Sequence, residues 1–140
     1  MSEQEELTSF ALSEFQPLVD EHGFKNPLVS NEDWMTRIDY LSSNLGIELE
    51  LDWRDFAFFV LVVRLDNGKL PNGYYVSNGR KCRKHLLSVL NERDLSRQKP
   101  KQLKQAKTKQ AFKNQIIEFR QFLMYHVHEL LAVDESDLFD

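Results

Sequence analysis

Residues 46–66, GIELELDWRDFAFFVLVVRLD, decide the fold. Ile47, Leu49, Leu51 and Trp53 alternate with Glu48, Glu50, Asp52 and Arg54. A period of two marks a strand with one face buried and one face wet. From Phe56 to Val63 both faces are apolar and rich in β-branched and aromatic residues. That predicts a central strand covered on both sides, or one whose outer face meets a partner. Trp53-Arg54-Asp55 between them leaves room only for a tight antiparallel connection.

Working outward, residues 34–43 read as a preceding strand, joined through Ser43-Asn44-Leu45-Gly46 as a hairpin turn. Asp66-Asn67-Gly68 closes the third strand, Leu70-Pro71-Asn72-Gly73 is a second turn, and Tyr74-Tyr75-Val76 is a short fourth strand at the edge. Before the sheet, Ser2 and Glu5 form a capping box and Gly23 a left-handed stop, so residues 3–22 are expected to be helical. Pro17 predicts a kink at Gln16, or an end near it. Residues 24–33, with Pro27 and Ser30-Asn31-Glu32-Asp33, read as loop.

After the sheet, a helix is expected from Ser77 or Asn78 to about Asn91, with Cys82, Leu86, Val89 and Leu90 inward. Residues 94–104 read as a mobile linker. The final helix is the clearest: Phe112, Ile116, Phe119, Leu123, Val127 and Leu130 form one continuous stripe. Residues 134–140 read as a frayed acidic tail, in which Leu138 and Phe139 are the alternative docking candidates. The architecture is therefore α+β over one domain, 1–140. It has an N-terminal helix, a three- to four-stranded antiparallel meander, and two C-terminal helices packed on the sheet. Helices on both faces would account for the doubly apolar third strand.

The chain has 140 residues and a net charge of −4. Residues 1–78 carry 5 Lys/Arg against 14 Asp/Glu, residues 79–113 carry 12 against 2, and residues 114–140 carry 1 against 6. An acidic body with a basic insert either neutralises itself within the fold or selects a partner by charge. One cysteine, an acidic polar N-terminus and no apolar run near the roughly 18 residues of a membrane span predict a reduced, cytoplasmic protein with no membrane partner.

No metal site or cofactor is expected. His126 and His128 are two apart on a helix and diverge. Cys82 lies on an apolar side and reads as a small buried thiol rather than a nucleophile. Glu48, Glu50, Asp52 and Asp55 line one side of the second strand and its turn; alternation puts the first three on the wet face, as a solvated strip or a docking strip for a basic partner. The alternative is phosphate binding by Arg80, Lys81, Arg83 and Lys84 with the lysines from 99 to 113, Tyr74 and Tyr75 stacking on bases. Self-association through the third strand or last helix is a further expectation.

A helix ending in His22-Gly23-Phe24, then Asp39-Tyr40-Leu41-Ser42-Ser43, then residues 47–55 feeding an apolar strand resembles the small bacterial immunity-type proteins of polymorphic and contact-dependent toxin systems. The resemblance spans residues 5–90. It implies a non-enzymatic, cytoplasmic protein that binds a cognate toxin domain and blocks its active site. Toxin nucleases are commonly basic, which suits an acidic strip. The basic stretch at 79–113 departs from that pattern.

Overall fold

The computed structural model describes residues 1–92 and 99–140. The first helix is divided where proline requires it. α1 spans Glu3–Glu14 and α2 spans Pro17–His22, with Pro17 in the first turn of α2, where its missing N–H is harmless. Ser2 caps α1 by accepting the Glu5 amide, and Gly23 ends α2 at φ 77°.

Four strands follow: β1 (Leu28–Asn31), β2 (Met35–Leu41), β3 (Leu45–Asp52) and β4 (Ala57–Arg64). The chain then makes a small hairpin of β5 (Val76–Ser77) and β6 (Arg80–Lys81), followed by β7 (Arg83–His85), α3 (Leu86–Glu92), α4 (Lys109–Ala132) and α5 (Glu135–Phe139). The main sheet is antiparallel throughout, in the order β1-β2-β3-β4-β7. The class is α+β, with five strands where the sequence suggested three or four.

Two elements differ from the sequence expectation. β1 occupies the expected loop at 24–33. Ser30 and Asn31 have weak strand propensity, and the element exists because β2 supplies its hydrogen-bond partners. The helix expected from 77 begins only at Leu86. Asn78 and Gly79 have φ values of 53° and 77°, the pair of positive angles that closes a two-residue hairpin, so Asn78 turns β5 into β6 instead of capping a helix. Tyr74 and Tyr75 precede that hairpin, and the edge beside β4 belongs to β7. Residues 94–98 of the expected linker lie outside the described residues; from Lys99 the chain is coil up to α4, and it is tied down where Gln102 donates to the Phe58 carbonyl and the Leu103 amide donates to Gln115.

Register sorts the sheet into two faces. Ile38, Tyr40, Ile47, Leu49, Leu51, Phe58, Val60 and Val62 join Leu7, Ala11, Phe15 and Leu18 in one core. The α4 stripe from Phe112 to Leu130 completes it, every member buried. The acidic tail is helical and docked: Leu138 and Phe139 are buried, and Arg64 lies over the Phe139 ring at 5.2 Å. Among the described residues, no helix covers the opposite face. Leu61 and Val63 are buried there, Phe59 meets the His85 ring edge-on at 5.7 Å, and the chain from Leu65 to His85 folds back over it. That returning segment, not a second helical layer, accounts for the doubly apolar β4.

The β3–β4 turn holds Phe56 at φ 51°, uncommon for a bulky residue. Its ring packs 4.7 Å from Phe112, and its carbonyl accepts the Ala106 amide at 2.8 Å. These contacts fix the turn to the start of α4.

Candidate protein-binding surface

The expected acidic strip is split by the fold. Glu48 and Glu50 are 0% and 4% exposed, contrary to the solvated face that alternation alone implies. Alternation is right about the side of the sheet; what it does not reveal is that residues 65–85 cover that side. Asp52 is half-buried at the strand end and accepts the Asp55 amide at 3.0 Å, and Asp55 is exposed.

Beneath the covering segment lies an ionic cluster. Arg83 donates to both Glu48 oxygens, at 3.0 and 3.1 Å, and to the carbonyls of Gly73 and Tyr74, both at 2.9 Å. One guanidinium thus ties β7, β3 and the covering loop together. The Tyr74 hydroxyl donates to Glu50 at 2.5 Å, and its ring has Arg83 at 4.8 Å and Arg37 at 5.6 Å. Arg37 bridges Glu50 at 3.3 Å and also pairs with Glu32. Asp39 is buried directly opposite Glu48.

These neighbours set the titration. Burial, the hydrogen bond to Glu48 and the Glu48 charge push Asp39 up to about 8, against the pull of Arg83 and Arg37. Burial also raises Glu50. Burial works the same way on Glu48, but hydrogen bonds from Asp39 and Arg83 outweigh it and hold this carboxyl below its ordinary value. Asp39 therefore keeps its proton at neutral pH. The covering loop itself needs Gly73, where a Cβ would sit 1.8 Å from the Val76 carbonyl oxygen. Gly73→Ala is expected to cost about 2 kcal/mol, read as a lowered urea midpoint.

The basic residues are also divided. Arg83 is buried in its pair with Glu48 and is not available to a phosphate. Strand alternation sends Lys84 to the other side of β7. Arg80 and Lys81 are exposed, with Arg80 3.7 Å from Asp140, which also receives Arg64 at 2.9 Å. The lysine segment sits at the opposite end of β4, where Gln102 donates to Phe58 and Ala106 to Phe56. About 20 Å of strand separates the two groups. Lys109 and Lys113 both pair with Glu6, at 3.1 and 3.2 Å. Arg83, Lys109 and Lys113 of the basic insert are thus paired with carboxylates of the acidic body, and Arg80 with the acidic tail. Of the two tyrosines, Tyr74 is taken up by the cluster, while Tyr75 is exposed, with its hydroxyl 3.4 Å from His85.

Cys82 is buried, its thiol 2.9 Å from the Tyr74 carbonyl, and burial pushes it up against the pull of Arg83. His126 is buried between the Phe122 and Tyr125 rings while His128 is exposed, so the two diverge. Among the described residues no helix is long and apolar enough to cross a membrane.

The surface that does converge lies at the turn end of the sheet, where sequence reading singled out only Asp52 and Asp55. The β1–β2 and β3–β4 turns touch: the Trp53 amide donates to the Trp34 carbonyl at 2.8 Å, and Arg54 lies 4.7 Å over the Trp34 ring. Trp34 is 58% exposed, and Glu32, Asp33 and Asp55 are exposed on the same two turns. Beside them, a cleft of about 500 Å³ between the start of α1 and the end of β1 is lined by Glu5, Thr8, Asn31 and Glu32 among others. Trp34 shares the alternation of Ile38 and Tyr40, which predicts an inward side chain; it stands exposed because β2 begins only at Met35.

No family model, no curated protein and no solved structure matches this chain.

Proposed function

We propose that the chain is a non-enzymatic protein-binding module of the immunity type, which binds a basic toxin domain and neutralises it. The observation that carries this reading is Trp34, a large aromatic left exposed among Glu32, Asp33 and Asp55. Tryptophan is the residue type most enriched where interfaces concentrate their binding energy, and a polar rim around it is the usual anatomy. The carboxylates favour a partner of positive charge and speed encounter with it. The grip is assigned to this rim, and Glu48 and Glu50 act within the fold.

The test is calorimetric titration with a basic toxin domain as the proposed partner. Trp34→Ala is expected to weaken the complex by about 2 kcal/mol, roughly 30-fold. Asp33→Lys with Asp55→Lys should lower affinity about tenfold and flatten its dependence on salt. Unchanged affinity in both variants would remove the assignment. Nucleic acid is the competing partner class. Retention of an oligonucleotide in filter binding at low salt, lost in Arg80→Glu with Lys81→Glu, would replace the protein-binding reading.

A further inference from the structure

The outermost strand β1 is the one main-sheet element whose four residues are all exposed. Its pairing partner is β2 alone, so one row of its backbone N–H and C=O groups faces outward. Natural edges are usually blunted by lysine, proline or a bulge within the strand. β1 reads Leu28-Val29-Ser30-Asn31, with no charge and no proline, and its register against β2 runs without a break. Leu28 and Val29 are 56% and 43% exposed and lie on opposite faces of the sheet. Val29 faces the helical side, so each face of this edge carries one exposed apolar side chain, beside Asn31 on the helical side and Ser30 on the other.

The surroundings say what fits there. The strand runs out into Glu32 and Asp33. On its helical side, Glu5 and Glu32 line the cleft beside Asn31, Glu32 with a carboxylate that also pairs with Arg37. Glu3 and Glu5 stand in the first turn of α1.

We infer that β1 receives an extended, lysine- or arginine-containing segment of the partner protein, which pairs as a sixth strand and directs basic side chains at the cleft of Glu5 and Glu32. The inference rests on the protein-binding reading above and names how the partner is held. Main-chain hydrogen bonds to the edge hold the segment, and alternate side chains supply selectivity. Apolar side chains on one face of the incoming strand pack beside Leu28. Those on the other face extend towards the carboxylates.

The probe is a labelled eight-residue peptide alternating lysine and valine, with a twin N-methylated at alternate valines. The twin keeps the charge and removes the donors that strand pairing needs. Fluorescence anisotropy should show the plain peptide binding at least tenfold more tightly than the twin, and amide exchange at residues 28–31 should slow when it binds. Leu28→Lys with Val29→Lys should abolish that difference, with wild-type circular dichroism establishing that the variant is folded. Equal binding of peptide and twin would overturn strand pairing while leaving the acidic surface intact. Failure of both peptides and of polylysine would sink the protein-binding reading itself. A dimer in sedimentation, dispersed by the same double variant and unmoved by the peptide, would assign the edge to a second copy and overturn the inference.

Discussion

Arg83→Ala is expected to lower the stability of this protein by about 3–5 kcal/mol, because it leaves the Glu48 carboxylate buried without its partner. Arg83 is 8% exposed and Glu48 fully buried, so water cannot replace the lost donors. The same change frees the carbonyls of Gly73 and Tyr74, both bound by the guanidinium at 2.9 Å. The covering loop should therefore loosen as well as the sheet. Thermal unfolding should show the midpoint falling by about 10 °C or more. The double variant Arg83→Met, Glu48→Gln separates the pair from the packing. It should recover most of the loss, since a buried pair replaced as a unit costs far less than half a pair. A single variant within 1 °C of wild type would show that Arg83 does not hold this face together.

Asp39 should make the protein less stable as the solution becomes alkaline. Its pKa is raised in the folded state, to about 8, by burial and by Glu48. The unfolded chain titrates near the ordinary carboxylate value. The stability that the protonated group provides is complete below that ordinary value and is lost as pH rises through about 8. Ionisation there adds a buried negative charge directly beside Glu48. The loss between pH 5 and 9 should reach a few kcal/mol. Asp39→Asn keeps a donor for Glu48 and cannot ionise. Its urea-unfolding free energy should be nearly flat over that range and exceed the wild type at pH 9. Parallel curves for the two proteins would contradict the assignment.

Much of this fold was legible because it is written in local periodicity. The alternation at 47–53, the apolar run at 56–63 and the stripe on α4 each specify an element without reference to neighbours. So does Pro17, whose ring breaks a helix wherever it falls inside one. β1 was not legible, since Ser30 and Asn31 form a strand only because β2 lies beside them. The Asn78-Gly79 hairpin was legible and passed over: the pair is a strong turn signal, but Ser77 and the apolar spacing from Cys82 onward read equally well as a capped helix. The candidate surface was half-visible. Strand alternation gives the side of the sheet on which Glu48 and Glu50 lie, but their burial depends on contacts with residues 24 and 35 positions further along the chain, Tyr74 and Arg83. No local pattern reports that. Arg83 groups with the exposed cations for the same reason: within the run Arg80-Lys81-Cys82-Arg83-Lys84 nothing local marks it as the buried one.

The account therefore assigns two jobs to acidic residues that look alike in sequence. Glu48 and Glu50 hold the covering loop; Glu32, Asp33 and Asp55 face outward around Trp34. Amide hydrogen exchange of the full chain, with and without a basic toxin domain as the proposed partner, tests this division most directly. Slowed exchange at residues 28–34 and 52–55, with residues 80–84 unchanged, is the result expected. Protection confined to residues 80–84, or none anywhere at saturating partner, would contradict it.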